Sequence, residues 1–539
     1  MAPAHQPFYS CTSPFTPAPA LLPLRQPFYP CNWRFITRLR ILLEKTQHFM
    51  KKKHLFLLLA GLFPALVHAQ EPTPQWRPVY HFTAPQNWLN DPNGLIYLDG
   101  VYHLYYQHNP VENKWGHMSW GHATSKDLLH WQHLPVAIPE VETKDTTTWI
   151  FSGSAVLDEH NSSGFGKNGK APVVAIYTAD QPRQQKESQF IAWSNDGGAT
   201  YTNYAGNPVV DIHKKDFRDP SVIWLEDQQK WLMTVAVPAE HKIQFYGSRN
   251  LRNWQLLSEF GNQGDTRKIW ECPSLTPLFV DGNPSKKKWL LMISSGNPDA
   301  ATGMQYFTGN FDGTTFTNDN PPNTQLFVDY GKTFYAAIPY NHLPDNRQTM
   351  IGWLMPFETP TFPWRGQMSI PRDLQLKSTA AGIRLFQQPA ALLQASLEKL
   401  PASKKLTLPP QTLQNKELTL SSHRQFNTNA NWVEADFTTG TASDFGFKVA
   451  TQVVVGYNTA KKELYIKDGK DIQHLAVTPA SNRIRLQVLF DKSSVEVFVN
   501  DGEKVLTTLI FPDKTATGLS VFAENGSVQL NGLKAWNLD

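Results

Sequence analysis

The chain of 539 residues is long enough for two or three domains. Its 50 Lys and Arg against 46 Asp and Glu leave a formal charge of only +4, with no basic stripe of the kind that holds nucleic acid. Aromatic residues make up 12% of the chain and 17 of them are Trp, a usage that suits ring-lined clefts and ring-filled seams between sheets.

The first element in chain order is a leader. Met50-Lys51-Lys52-Lys53-His54 is a positive segment, Leu55 to Val67 is an apolar run broken by Pro64, and Val67-His68-Ala69 is a small-residue cleavage site. That order predicts a signal peptide over 50–69 and a mature start at Gln70. The apolar run is too short and too interrupted for a membrane span. Residues 1–49, rich in Pro and aromatics, then read as a non-native upstream extension, with Met50 as the working start. Without residues 1–69 the chain holds 42 basic and 45 acidic residues, a net charge near −3. Cys11 and Cys31 leave with the leader, so Cys272 stands alone and no disulfide framework is possible. No Cys follows the cleavage site to carry a lipid anchor. The expected destination is the periplasm or the medium.

A repeated unit follows. It opens on a tight turn that runs into a strand: Asp91-Pro92-Asn93-Gly94-Leu95-Ile96, then Phe151-Ser152-Gly153-Ser154-Ala155-Val156. It returns as Arg218-Asp219-Pro220-Ser221-Val222-Ile223, as Glu271-Cys272-Pro273-Ser274-Leu275, and more loosely as Phe334-Tyr335-Ala336-Ala337-Ile338. Between positions 91, 152, 219, 271 and 335 the intervals are 61, 67, 52 and 64 residues. Each unit continues with a second strand, such as Val101 to Tyr106 or Lys230 to Val235. Later in four of the units comes a polar turn and then an aromatic: Ser125-Lys126-Asp127 with Trp131, Ser194-Asn195-Asp196 with Tyr201, Ser248-Arg249-Asn250 with Trp254, and Asp312-Gly313 with Phe316. Two landmarks recurring in phase, with about four short strands per unit, predict an all-β, five-bladed β-propeller over 76–386.

Beyond it, 387–415 reads as a connector rich in Leu, Lys and Pro. From 416 to 539 the strands are short and alternating, as in Arg483 to Phe490 and Ser494 to Val499, and the second ends at the hairpin signal Asn500-Asp501-Gly502. This predicts a C-terminal β-sandwich, expected to brace the propeller rather than to bind carbohydrate, since no clustered aromatics mark a binding face.

In a propeller, equivalent positions of the units face one axis, so Asp91, Asp219 and Glu271 converge there. Two carboxyl groups flanking a bond, one protonated and one ionised, are what cleavage of a glycosidic bond requires. Amides and indoles of Asn87-Trp88-Leu89-Asn90 and Asn113-Lys114-Trp115-Gly116-His117, with Arg218, suit the grip on sugar hydroxyls and ring faces. Singly, each motif is as well read as a turn, a salt link or a strand cap; in phase on one repeat they become specific. Cys272 has no His placed beside it by a motif, so it does not read as a thiol nucleophile. The 17 His show no metal-binding spacing, and neither a metal nor a cofactor is called for.

The chain resembles glycoside hydrolase family 32, the invertase, inulinase and levanase group. The resemblance rests on Trp88-Leu89-Asn90-Asp91-Pro92-Asn93-Gly94, Gln107 with Asn109-Pro110, Phe151-Ser152-Gly153-Ser154, Phe217-Arg218-Asp219-Pro220, and Trp270-Glu271-Cys272-Pro273. It continues through Asp329-Tyr330-Gly331-Lys332-Thr333-Phe334-Tyr335-Ala336, Gly352-Trp353 and, in the sandwich, Ser493-Ser494-Val495-Glu496-Val497-Phe498. What it implies is a secreted hydrolase that releases β-D-fructofuranose from fructans or sucrose by a retaining double displacement. Asp91 would be the nucleophile and Glu271 the acid and base, while Asp219 would hold fructose hydroxyls and stabilise the transition state. Asn90, Gln107, Trp115, Phe151, Ser152, Arg218 and Trp353 would line the fructose subsite. Leu89 stands where the family commonly has Met, and the stretch from Leu354 to Pro360 departs from the Trp-containing run of exo-acting microbial members, which leaves linkage preference open. The alternatives are an inverting arabinan- or xylan-type hydrolase on the related propeller, a fructosyltransferase, and a sugar-binding propeller without catalysis.

Overall fold

The computed structural model describes residues 74–539, apart from 296–302, 356–358, 421–425 and 427–428. The extension and signal peptide read from the sequence lie outside the described residues, as does the middle of the divergent 354–360 stretch.

Five antiparallel sheets follow one another along the chain. Their innermost strands are Asn87–Leu98, Thr147–Leu157, Arg218–Leu225, Glu271–Phe279 and Phe334–Pro339. Each is the opening strand of one sequence repeat, and each pairs with the next strand of its own unit: Val101–Asn109, Val173–Gln181, Lys230–Val237, Lys287–Ser294 and Thr349–Leu354. The polar turns close the outer hairpins. Ser125, Ser194 and Ser248 hydroxyls accept backbone N–H groups two to four residues on and fix each reversal. The ring closes where Trp364–Arg365, from the fifth unit, pairs in parallel with Asn87 and Trp88 of the first. This is the five-bladed β-propeller that the repeat predicts.

The cores sit in the seams between blades. One apolar cluster joins Ile96, Tyr105 and Trp120 of the first blade to Ile150, Ala175 and Tyr177 of the second. Comparable clusters lie between the second and third, third and fourth, and fourth and fifth blades. The last seam, between the fifth and first, also takes in Trp432, Leu489, Phe498 and Trp536 of the second domain.

That domain is a β-sandwich with its own core of Phe, Val, Leu and Ile. Its last strand, Leu519–Asn537, pairs with Asp444–Val449 through its first half and with Asn431–Thr438 through its second, and so knits the whole. The stretch read as a connector is ordered and serves both domains. Gln387 to Pro389 finish the last propeller strand, Ala391–Glu398 is a helix, and Lys405–Leu408 and Gln411–Thr419 are edge strands on Leu519–Asn537. The helix forms because Leu393 and Leu397, one turn apart, bury together in the fifth-to-first seam.

A buried ion network joins the domains. Arg372, from the fifth blade, donates to Glu496 and Asp329 and to the Thr507 hydroxyl, and the Arg372, Glu496 and Asp329 side chains are fully buried. His81 lies between two sandwich carboxylates, with Nδ1 at 2.9 Å from Asp491 and Nε2 at 2.9 Å from Glu496. Burial alone would lower the His81 pKa, but the hydrogen bonds and charges of Asp491 and Glu496 prevail and raise it to about 9. Burial pushes the two carboxylates up, yet His81 and backbone N–H groups hold Asp491 below its usual range, and Arg372, His81 and the Ile370 N–H hold Glu496 below its own. Glu496 is the acid of the Ser-Ser-Val-Glu-Val-Phe motif, so that motif is an interdomain clamp.

Because the folded His81 pKa lies above its unfolded value near 6.5, its contribution is complete below pH 6.5 and is lost as pH rises towards 9. The two depressed carboxylates act in the opposite sense and lose their contribution as pH falls below their unfolded values of 3.8 and 4.5. The His81 share is on the order of 3 kcal/mol. Thermal unfolding followed from pH 6 to 9 should therefore show a falling Tm in the wild type and a clearly shallower fall in His81→Gln, which starts less stable. Parallel Tm curves for the two proteins would contradict the clamp.

Candidate active site

All five innermost strands carry a register shift at the same place: Leu89 to Pro92, Ile150 to Gly153, Arg218 to Ser221, Glu271 to Ser274 and Tyr335 to Ile338. A bulge there bends the strand and re-aims its side chains toward the axis. In three blades it forces a non-glycine residue into the left-handed region: Asp219 at φ 65°, Cys272 at φ 47° and Ala336 at φ 53°. Such residues cost of order 1–3 kcal/mol and persist only when their surroundings over-determine them. Here the preceding blade supplies the hold. Gly153 N donates to Asn93 Oδ1 (3.1 Å), Asp219 N to Thr178 Oγ1 (2.9 Å), Cys272 N to Asp219 Oδ2 (2.9 Å) and Ala336 N to Ser294 Oγ (2.9 Å). In the first blade the turn itself is tight: at Gly94, φ 50°, an added Cβ would stand 2.7 Å from Tyr105 and 2.9 Å from Trp120.

The re-aimed side chains line one cavity of about 400 Å³. It holds Asn90, Asp91, Gln107, Trp115, Phe151, Ser152, Arg218, Asp219, Glu271 and Trp353, all ten of the residues expected there from the sequence. Asp91 Oδ2 accepts from Ser152 Oγ at 2.6 Å, and Oδ1 accepts from Asn90 Nδ2 at 3.1 Å, itself fixed by Trp88 Nε1 on Asn90 Oδ1 at 2.8 Å. Glu271 is held from both sides: Arg218 Nε donates to Oε1 at 3.0 Å and the Tyr335 hydroxyl to Oε2 at 2.6 Å. Gln107 Nε2 donates to the Ile150 carbonyl at 2.9 Å. Trp353 lines the cavity, and its Nε1 is buried with no protein acceptor among the described residues.

Burial is the largest influence on both Asp91 and Asp219. Burial raises the pKa of Asp91, against Ser152 and Asn90, which stabilise its anion. Burial also raises Asp219, assisted by the charges of Glu271 and Asp91 and opposed by Arg218. The Cys272 Sγ lies 3.6 Å from Asp91 and 3.5 Å from Asp219. Burial and those two carboxylates push the thiol well up, so it remains protonated and acts as a donor.

Four further residues line the cavity without having been expected there: Asp180, Glu187, Asp216 and Tyr335. Tyr335 occupies the fifth repeat position, a signal that the sequence does carry. Asp180 and Glu187 belong to outer strands of the second blade and carry no motif. Glu187 accepts from Arg218 Nη1 at 2.9 and 3.0 Å and from Phe217 N at 2.7 Å, so it aims Arg218 at Glu271. Burial raises its pKa to about 7, against Arg218. A larger cavity, about 630 Å³, opens at the far ends of the same strands, around Leu157, Leu225 and Pro277. None of the three repeat acids lines it, whereas all three line the smaller one.

Paired carboxyl groups, amides and indoles at a propeller axis, with a sandwich clamped alongside, are the equipment of a glycoside hydrolase. Residues 81–389 match the Glycosyl hydrolases family 32 N-terminal domain and residues 396–537 the family 32 C-terminal domain. The chain belongs to glycoside hydrolase family 32. It is 44% identical to the levanase of Bacillus subtilis over 85% of this chain and 70% of the relative. It is 37% identical to the extracellular exo-inulinase of Aspergillus niger over 86% of this chain and 95% of the relative. The crystal structure of exo-inulinase from Aspergillus awamori superposes with a TM-score of 0.77 at 35% identity, covering 86% of this chain and 99% of that one.

The Glu187–Arg218–Glu271 relay generates a prediction. Glu187→Gln keeps the shape but removes the charged half of the anchor, and charge-assisted hydrogen bonds are worth about 1.5–3 kcal/mol. Hydrolytic turnover should fall by about 10- to 100-fold, with the far-UV circular dichroism spectrum unchanged. A variant with wild-type turnover would show that Arg218 needs no such anchor.

Proposed function

We propose that this chain is a secreted, retaining β-fructofuranosidase that removes fructose from fructans (levan or inulin) and/or sucrose. The observation that carries the reading is the pair Asp91 and Glu271, aimed into one cavity from the first and fourth blades with contrasting partners. Asp91, fixed by Ser152 and Asn90, is suited to attack the anomeric carbon of fructose. As that bond forms, Glu271 gives its proton to the departing glycosidic oxygen. Water then attacks the fructosyl–Asp91 ester, and Glu271 takes the water proton. Asp219, held by Cys272 N, stays back from the scissile bond and binds fructose hydroxyls, which strengthens as charge develops in the transition state. Gln107, Trp115, Phe151 and Trp353 complete the wall around the sugar. The names of the relatives, levanase and exo-inulinase, support a fructan substrate.

Export through the leader over 50–69 belongs to the same reading. The relative from Aspergillus niger is named an extracellular enzyme, and no helix among the described residues is long and apolar enough to cross a membrane. Expressed from Met50, the exported protein should begin at Gln70 or within a residue or two. Amino-terminal sequencing that finds residues 1–49 on the exported protein would overturn that start.

The chemistry is tested by substitution. Asp91→Ala and Glu271→Ala should each lower kcat by about 10,000-fold or more. Glu271→Ala should recover part of its rate on substrates with activated leaving groups, which need little protonation, whereas Asp91→Ala should not. Asp219→Ala should cost about 100- to 1,000-fold. The first-formed fructose, followed by NMR, should be the β anomer; an α first product would refute retention.

A further inference from the structure

The surface beside the catalytic cavity has a feature the chemistry does not use. Among the described residues the three most exposed large hydrophobic side chains are Phe362 at 75%, Val111 at 65% and Trp115 at 50%. Phe362 lies far in sequence from Val111 and Trp115, and hydrogen bonds bring the two loops together. Asn87, just before the Asp91 turn, donates its backbone N–H to the Pro363 carbonyl (2.7 Å) and its side-chain amide to the Pro110 carbonyl (2.9 Å). Asn113 Nδ2 reaches the Thr361 carbonyl at 3.5 Å. The loop carrying Phe362 and the loop carrying Val111 and Trp115 therefore lie side by side at the catalytic end of the first blade.

Neither loop is loose. The buried Asn109 side chain accepts from Val111 N and Glu112 N and donates to the Lys114 carbonyl, while Trp88 N donates to the Glu112 carbonyl. The Phe362 loop is pinned by the Trp364–Arg365 pairing with Asn87 and Trp88. Water-facing apolar side chains on a pinned backbone are costly unless something covers them, and such patches mark interaction sites. The occupant is named by continuity: Trp115 belongs both to this patch and to the wall of the catalytic cavity, where its ring meets Trp149 at 5.2 Å and Phe151 at 6.0 Å.

We infer that Phe362, Val111 and Trp115 form a platform for the fructosyl units of a polymeric fructan that follow the two bracketing the scissile bond. The C–H faces of furanose rings pack on Phe362 and on the exposed side of Trp115. Sucrose ends before the platform and does not use it. The inference rests on the fructosidase reading above.

The test compares Phe362→Ala and Phe362→Tyr with the wild type on sucrose, levan and inulin. Phe362→Ala should raise KM for at least one polymer by about threefold to tenfold, the worth of one exposed ring contact, and leave sucrose kinetics and the kcat for polymer unchanged. Phe362→Tyr, which keeps the ring, should restore polymer KM. Equal loss on sucrose and polymer, or no loss on either, would overturn the platform. A change in sedimentation behaviour with unaltered polymer kinetics would overturn it too, by giving the patch to a second copy of the chain. A wild type that hydrolyses none of the three substrates would instead overturn the fructosidase reading itself.

Discussion

The active centre depends on a chain of hydrogen bonds in which each blade holds the bulge of the next. Asn93 fixes Gly153, Thr178 fixes Asp219, Asp219 fixes Cys272, and Ser294 fixes Ala336. A single such bond contributes about 1 kcal/mol, less than a left-handed residue can cost. The bulges therefore persist because the apolar seams between blades also lock the strands in place. The parallel pairing of Trp364–Arg365 with Asn87 and Trp88 closes the ring immediately before Asp91. Ring closure and the proposed nucleophile thus sit next to each other on one strand. Asp219 takes part twice: its backbone is held by the second blade, and its carboxylate holds the fourth.

The sandwich is tied to the same centre by a short piece of chain. Asp329 accepts from Arg372, from the Thr507 hydroxyl and from the backbone of Gly331 and Thr507, and Tyr330 N donates to the Val505 carbonyl. Gly331 passes so close to Thr507 that an added Cβ would stand 1.7 Å from its carbonyl oxygen. Six residues after Asp329, the Tyr335 hydroxyl reaches Glu271. One segment therefore has one end set by the second domain and the other set on a catalytic candidate. Removing one partner from a fully buried ion pair is expensive, about 3–5 kcal/mol, because the other charge is left unpaired. A brace built this way keeps its register, and Tyr335 keeps its place.

Much of the architecture is legible in the order of residues alone. A tight turn that runs into a strand is a local signal, and five copies in phase make a propeller the simplest arrangement that satisfies them all. The acids at those turns are found for the same reason. Asp180, Glu187 and Asp216 are not, because no turn or spacing marks them: Glu187 matters through its bond to Arg218 across a seam, Asp216 bonds Arg218 from two residues before it, and Asp180 is placed only by the cavity. The 387–415 stretch reads as a connector because the helix it contains is only eight residues long. What makes that helix stable is the seam it fills, and a seam has no signature in its own segment.

The sequence by itself determined the five units, the turn that opens each, the second β domain and the residue types gathered at the axis, because all of these follow from short-range periodicity and turn chemistry. Tertiary structure decided which donor meets which carboxylate. Contrasting partners for Asp91 and Glu271, a buried protonated thiol between Asp91 and Asp219, and a charged His81 between two sandwich acids arise from groups tens to hundreds of residues apart in the chain. Low dielectric and close approach set those interactions, and neither exists until the ring has closed.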